Sequence, residues 1–106
     1  MTFKILWHSS VAQDLENILT LILDYSGPTV ARRKIREIEA GIRSLAEVPH
    51  RGTIRDEIYP GLRVLPVARK GVMCFTVDDA TKTVRLMAVT YAGQEWGRLL
   101  STRRNA

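Results

Sequence analysis

The chain has 106 residues, 45% of them apolar and 25% charged, with a formal net charge of +5. That length supplies one modest hydrophobic core and leaves no room for a second domain or a large cofactor-binding half, so residues 1–106 are read as one domain. No run approaches the roughly 20 apolar residues of a membrane span, and Met1-Thr2-Phe3-Lys4-Ile5 lacks the basic-then-apolar layout of a secretion signal, so the cytoplasm is the expected compartment and no membrane contact is expected.

Residues 3–7 alternate and carry aromatic and β-branched types, which predicts a first strand. Ser9 or Ser10 then offers a side-chain oxygen as helix N-cap, and Asp14 and Glu16 suit the positive end of the helix that follows. Val11, Leu15, Ile18, Ile22 and Tyr25 recur at three- and four-residue spacing, one stripe of an amphipathic helix, which Leu19, Leu21 and Leu23 widen. Ser26-Gly27-Pro28-Thr29 interrupts it: Gly27 ends a helix, and Pro28 has φ preset for the next. Ile35, Ile38, Ile42 and Leu45 form the core face of a second helix, with Arg32, Arg33, Lys34, Arg36, Glu37, Glu39 and Arg43 on its other faces. Two helices joined by so short a turn are expected to pack as an antiparallel hairpin.

Val48-Pro49-His50-Arg51-Gly52 closes the helical part, and the polar stretch to Pro60-Gly61 reads as irregular. Three β-type segments follow, residues 62–68, 72–77 and 83–89, separated by the turns Arg69-Lys70-Gly71 and Asp78-Asp79-Ala80-Thr81-Lys82. Such short connections imply an antiparallel meander. Pro66 cannot donate to a ladder and predicts a bulge or an unpaired position in the first of these strands. Residues 93–101 predict a short helix with Trp96, Leu99 and Leu100 packing back, and residues 102–106 are expected to fray. Helices and strands segregated in this order give an α+β fold, with the helical hairpin on one face of the sheet and basic side chains on the other.

Cys74, the single cysteine, lies in the apolar run Val72-Met73-Cys74-Phe75 and reads as a buried small hydrophobe. His8 and His50 stand in no ligand-spacing pattern, so neither a metal nor a cofactor is expected. The positive balance favours an acidic partner, nucleic acid or protein, without choosing between them.

Several phrases resemble the RelE/ParE toxin superfamily. Ser10-Val11-Ala12-Gln13-Asp14-Leu15-Glu16-Asn17-Ile18 resembles its first-helix opening. Ile42-Arg43-Ser44-Leu45-Ala46-Glu47-Val48-Pro49-His50-Arg51-Gly52 is similar to its second-helix end. Pro60-Gly61-Leu62-Arg63, Phe75-Thr76-Val77-Asp78-Asp79 and Val84-Arg85-Leu86-Met87-Ala88-Val89 resemble a strand start, a hairpin and the last sheet strand. Each phrase is weak alone; their order and spacing carry the resemblance, which spans nearly the whole chain.

The resemblance implies the toxin of a type II toxin–antitoxin pair, a cytoplasmic bacterial protein of growth arrest and plasmid stabilisation. It also implies a hetero-oligomer with a ParD-like antitoxin whose acidic C-terminal segment folds onto the toxin. Within the superfamily RelE-like members cut mRNA on the ribosome and ParE-like members inhibit DNA gyrase, so the fold does not decide function. Metal-free RNA cleavage needs a base, cations and an acid around one phosphate. Here Met73, Ala92 or Gly93, and Trp96 stand near positions where such enzymes carry arginines and a tyrosine, leaving Arg63, Arg85 and Tyr91 as the nuclease candidates. The depleted set favours the ParE-like reading. Its target-binding candidates are Arg63, Arg69, Lys70, Arg85, Trp96 and Arg98, with Arg103 and Arg104 beyond them. Arginine suits carboxylate or phosphate recognition, although most surface arginines bind nothing specific, and an aromatic such as Trp96 as readily caps a core. Leu19, Leu23 and Val30, on the rim of the helices, are the antitoxin-binding candidates, and the groove between hairpin and sheet is the expected landing site.

Overall fold

A computed structural model describes residues 2–103. Strand β1 (Lys4–Trp7) leads into helix α1 (Val11–Ser44), then β2 (Thr53–Ile54), β3 (Arg63–Val67), β4 (Gly71–Asp78), β5 (Thr83–Tyr91) and helix α2 (Trp96–Ser101). The strands form one sheet in the order β1-β5-β4-β3-β2. β2 to β5 pair antiparallel in sequence, and β1 adds to β5 in parallel, Lys4 opposite Thr83 and Trp7 opposite Leu86.

α1 is helical throughout except at Gly27, whose φ of 82° and ψ of 174° no helix contains. An unbroken helix of 34 residues would run about 51 Å, longer than the molecule's greatest extent of 42 Å. The segment also ends close to where β1 begins, since the Phe3 amide donates to the Ala46 carbonyl at 2.8 Å. Gly27 is therefore an elbow, and the two limbs fold back along the sheet as the hairpin reading expects. The connection is tighter than predicted: one non-helical residue suffices because glycine alone tolerates that region, and Pro28 starts the next limb without needing a donor. Ser10 occupies the N-cap as predicted, yet its hydroxyl makes no capping bond.

The limbs bury Val11, Ile18, Ile22, Ala31, Ile38 and Ile42 against Met73, Phe75, Val84, Leu86 and Val89 of the sheet. Alternation along β4 and β5 sends the remaining side chains to the opposite face, where Cys74, Met87 and Ala88 pack with Leu62 and with Leu100 of α2. The register explains how Met87 and Ala88 share that face. Phe75 pairs with Leu86 and Cys74 with Ala88, so Met87 is the extra residue of a β-bulge. The bulge thus falls at Met87 and not at Pro66, where a bulge or an unpaired position was expected. Pro66 pairs with Val72, beyond the last residue that β2 flanks, at a stretch where β3 is the sheet's edge.

Two expectations need correcting. The stretch after Gly52 is not wholly irregular, because Thr53 and Ile54 form β2 against Val64 and Arg63. Arg103 does not fray. It is 9% exposed, and its guanidinium forms a two-pronged pair with the Asp14 carboxylate, Nη1–Oδ2 2.5 Å and Nη2–Oδ1 2.7 Å. The same pair closes the flank of β5 where β1 stops: Asp14 accepts from the Val89 amide at 3.1 Å, and Arg103 donates to the Met87 carbonyl at 3.3 Å. Arg104 to Ala106 lie outside the described residues.

Candidate functional site

The folding back of α1 opens a cleft of about 1080 Å³ at the elbow end of the molecule. Its floor is aliphatic, made by Ile18, Leu21 and Ile22 of the first limb and Val30 of the second, and Tyr25 and Tyr91 stand at its sides. Lys34, Arg69 and Lys70 supply its charge. Arg69 and Lys70 reach it because the β3–β4 turn passes through left-handed backbone at Ala68 (φ 52°) and Arg69 (φ 68°). Ala92 (φ 55°) and Gly93 (φ 84°) continue the rim just after β5, and the Ala92 amide donates to the Lys70 carbonyl at 3.0 Å. Left-handed non-glycine residues cost roughly 1 kcal/mol or more each, and clusters of them favour functional sites. Lys34 shares Glu37 at 3.6 Å, whereas among the described residues neither Arg69 nor Lys70 enters an ion pair.

The other basic candidates lie elsewhere. Arg85, opposite Thr76, points to the face away from the limbs and is exposed. α2 covers part of that face, with Trp96 half-buried against its cluster and Arg98 exposed on the outer side. Arg55 stacks its guanidinium 5.3 Å from the Trp96 ring centre. It also hydrogen-bonds the Glu57 carboxylate, which that bond holds below the usual carboxylate range. The face expected to be open and basic is thus part apolar and part basic, because the short C-terminal helix lies on it. Arg63 is not on it. Paired with Phe75, Arg63 turns to the helical side and donates to the Arg51 carbonyl at 3.4 Å, near the end of α1 that Arg51 ties through Ser44 at 2.9 Å. Arg103, also a target-binding candidate, is spent in the buried pair with Asp14.

The three nuclease candidates do not converge. Arg63 and Tyr91 share the helical face but stand about 16 Å apart by strand rise and spacing, Tyr91 pairing with Gly71 and Arg63 with Phe75. Arg85 is on the opposite face. Cys74 is buried, and desolvation first, then the Asp14 carboxylate, push its thiol up to about 12 against the opposing effect of Arg103, so it is no ready nucleophile. Among the described residues no three His, Cys, Asp or Glu side chains gather as a metal site, and no helix is long and apolar enough to cross a membrane.

Of the antitoxin candidates, Val30 lines the cleft, Leu23 is 40% exposed and does not line it, and Leu19 is half-buried against the main core. Tyr25, which the periodicity places on the apolar stripe, is 83% exposed. Its place at the end of the stripe, two residues before Gly27, was the available signal that it would project past the elbow.

Residues 5–96 match the family described as ParE toxin of type II toxin–antitoxin system, parDE. Among solved structures the chain is similar to one from the chromosomal ParDE TA system of P. aeruginosa, with 23% identity and a TM-score of 0.71 over 86% of this chain and 97% of that one. It is similar to a chain of the toxin–antitoxin complex RelBE2 from Mycobacterium tuberculosis, with 16% identity and a TM-score of 0.58 over 87% of this chain and 100% of that one. An arginine-to-alanine double mutant of E. coli toxin RelE in the free state aligns over 100% of both chains, with 13% identity and a TM-score of 0.63. No curated protein matches the chain.

Proposed function

The chain belongs to the ParE toxin family of type II toxin–antitoxin systems, and from that premise we propose that it acts in the bacterial cytoplasm as an inhibitor of DNA gyrase, blocking replication until a cognate antitoxin binds it as a hetero-oligomer. The observation that carries this reading over mRNA cleavage is the scatter of Arg63, Arg85 and Tyr91 across two faces and opposite ends of the sheet. General acid–base chemistry on one phosphate needs its groups within hydrogen-bond reach of the same atoms. An inhibitor needs a gripping surface only. Arg85, Arg98 and the half-buried Trp96 supply one on the face away from the limbs, with the bidentate chemistry that suits carboxylate or phosphate groups of a protein–DNA complex. Arg69 and Lys70, at the cleft, extend the basic surface on another side.

The likeness in fold to RelE chains keeps ribosome-dependent cleavage as the alternative. Two assays run side by side separate them. Purified chain is expected to suppress supercoiling by gyrase, and the double variant Arg85→Glu, Arg98→Glu is expected to need about tenfold more protein for the same effect. Intact supercoiling together with mRNA cut in translating ribosomes would reverse the assignment.

A further inference from the structure

Helix α2 is too short to hold itself. An isolated helix of fewer than about 12 residues is marginal in water, and α2 has six, with no side-chain cap at its start. Its place on the sheet therefore comes from contacts. Trp96, Leu99 and Leu100 supply apolar ones, but these have no direction and leave a short helix free to turn or slide. At the start of α2 the Arg55 guanidinium lies over the Trp96 ring, and Arg55 is itself tied to the exposed Glu57. The far end is fixed differently. Arg103, two residues past α2, grips both oxygens of Asp14 and the Met87 carbonyl. Asp14 belongs to the first limb of α1, in the opposite layer, and is oriented by the Val89 amide. The pair thus passes around the edge of β5 where β1 has stopped, Trp7 being opposite Leu86, and joins the two layers.

We propose that Asp14 and Arg103 are positioning residues for the target-gripping face: the pair touches no target itself, and it sets where α2 holds Trp96 and Arg98 relative to Arg85 on β5. The proposal rests on the reading of that face as the one that grips the target. A buried ion pair is a poor device for stability alone, because well-packed apolar residues of similar size often hold a fold as well or better. What the pair adds is direction. A two-pronged guanidinium–carboxylate contact fixes angle as well as distance, and among the described residues no buried side-chain polar atom is left without a partner. Trp96 and Arg98 stand at the first and third positions of α2, so any turn or slide of the helix moves both against Arg85.

The experiment compares the natural chain with Arg103→Met, Arg103→Lys and Gly27→Ala in gyrase supercoiling, at equal concentrations of folded protein. Cys74, fully buried in the cluster that holds Leu100, reports the docking of α2 through its rate of modification by a thiol reagent. With α2 docked about one tenth of the time, Arg103→Met is expected to need about tenfold more protein for the same inhibition. Its Cys74 is expected to react about tenfold faster. Arg103→Lys, which keeps the charge and one prong, is expected to fall between the two. Gly27→Ala loosens the limbs and not α2, so it is expected to inhibit like the natural chain. Full inhibition by Arg103→Met, an equal loss in Gly27→Ala, or lost inhibition with Cys74 reacting no faster would each overturn the proposal. Growth on strong expression separates it from the gyrase reading. If the natural chain arrests growth and leaves gyrase untouched, the gyrase reading falls, while arrest lost in Arg103→Met and kept in Gly27→Ala upholds the positioning role. A natural chain that neither arrests growth nor inhibits gyrase sinks both.

Discussion

The two faces of the sheet are closed in different ways. On one, 34 residues of α1 lay down two apolar stripes, and the buried cluster draws side chains from both limbs and from β4 and β5. On the other, the six residues of α2 and part of the loop before β3 shelter a cluster of Leu62, Cys74, Met87, Ala88 and Leu100. The first cover is redundant, so no single side chain holds it. The second is fastened at its far end by one ion pair, Arg103 to Asp14, between residues 89 apart in sequence. A long periodic segment secures itself through repetition, whereas a short terminal one needs a specific partner.

Breaking that fastening is expected to have the largest effect. Arg103→Met keeps an apolar stem of similar length and leaves the Asp14 carboxylate, 5% exposed, without its guanidinium. Removing one partner of a buried pair typically costs about 3–5 kcal/mol. Here about 3 kcal/mol is expected, because α2 is able to undock and let water reach Asp14 before the rest unfolds. Urea denaturation reads the loss, and hydrogen exchange reads its place: the Val89 amide, which donates to Asp14, and the α2 amides should exchange faster while those of α1 keep their protection. A loss under about 0.5 kcal/mol, the range of an ordinary surface substitution, would mean that Leu100 and Trp96 hold the second cover without the ion pair.

The same contrast explains what was legible in the sequence. The limbs of α1, the first strand and the β3–β4–β5 meander follow from period and punctuation, and the observed strands differ from the predicted ones by a residue or two, as where β5 runs to Tyr91. β2 was hidden because two residues cannot show alternation. The parallel pairing of β1 with β5 was hidden because alternation predicts a strand and not its neighbour. Asp14 did carry a signal: at three residues after Val11 and four before Ile18 it falls within the apolar stripe, where a carboxylate must find a buried partner. That partner lay in a tail whose composition suggests fraying. The cleft was half legible. Arg69 and Lys70 stand in a legible turn, but their meeting with Tyr25 and Lys34 depends on how the limbs fold over the sheet. The side on which Arg63 lies is not legible, because it is set by register with Phe75, which no local pattern reveals.

The elbow sharpens the comparison as the one point where the redundant cover depends on a single residue. A Cβ at Gly27 would meet nothing within 4 Å, so Gly27→Ala tests backbone conformation alone. At φ 82° and ψ 174° the residue occupies a region that is essentially restricted to glycine. The expected loss is about 2 kcal/mol, read as a lower urea midpoint, with exchange accelerated in both limbs instead of in α2. An unchanged midpoint would show that the limbs rejoin at another angle for little energy, and the elbow cleft would then be adjustable.

Cys74 gives the smallest and most local reading, because it lies beneath the second cover. Its thiol is pushed from 9.0 up to about 12, chiefly by burial. The unfolded chain therefore releases this proton first as pH rises. Stability due to the protonated, buried thiol is full below pH 9.0 and is lost as pH climbs from there toward about 12. Other groups titrate in the same range, so the quantity to follow is the difference between the natural chain and Cys74→Ala. That variant carries a constant cavity cost and no thiol. The difference should be flat below pH 9 and should move by about 1 kcal/mol in favour of the variant by pH 10. A difference still flat at pH 10 would mean that the thiol titrates as if in water and that α2 stands open in solution. The ion pair would then fasten a cover that spends much of its time undocked. Movement on the expected slope, lost when Arg103→Met is added, would tie the dryness of the second face to the pair that closes it.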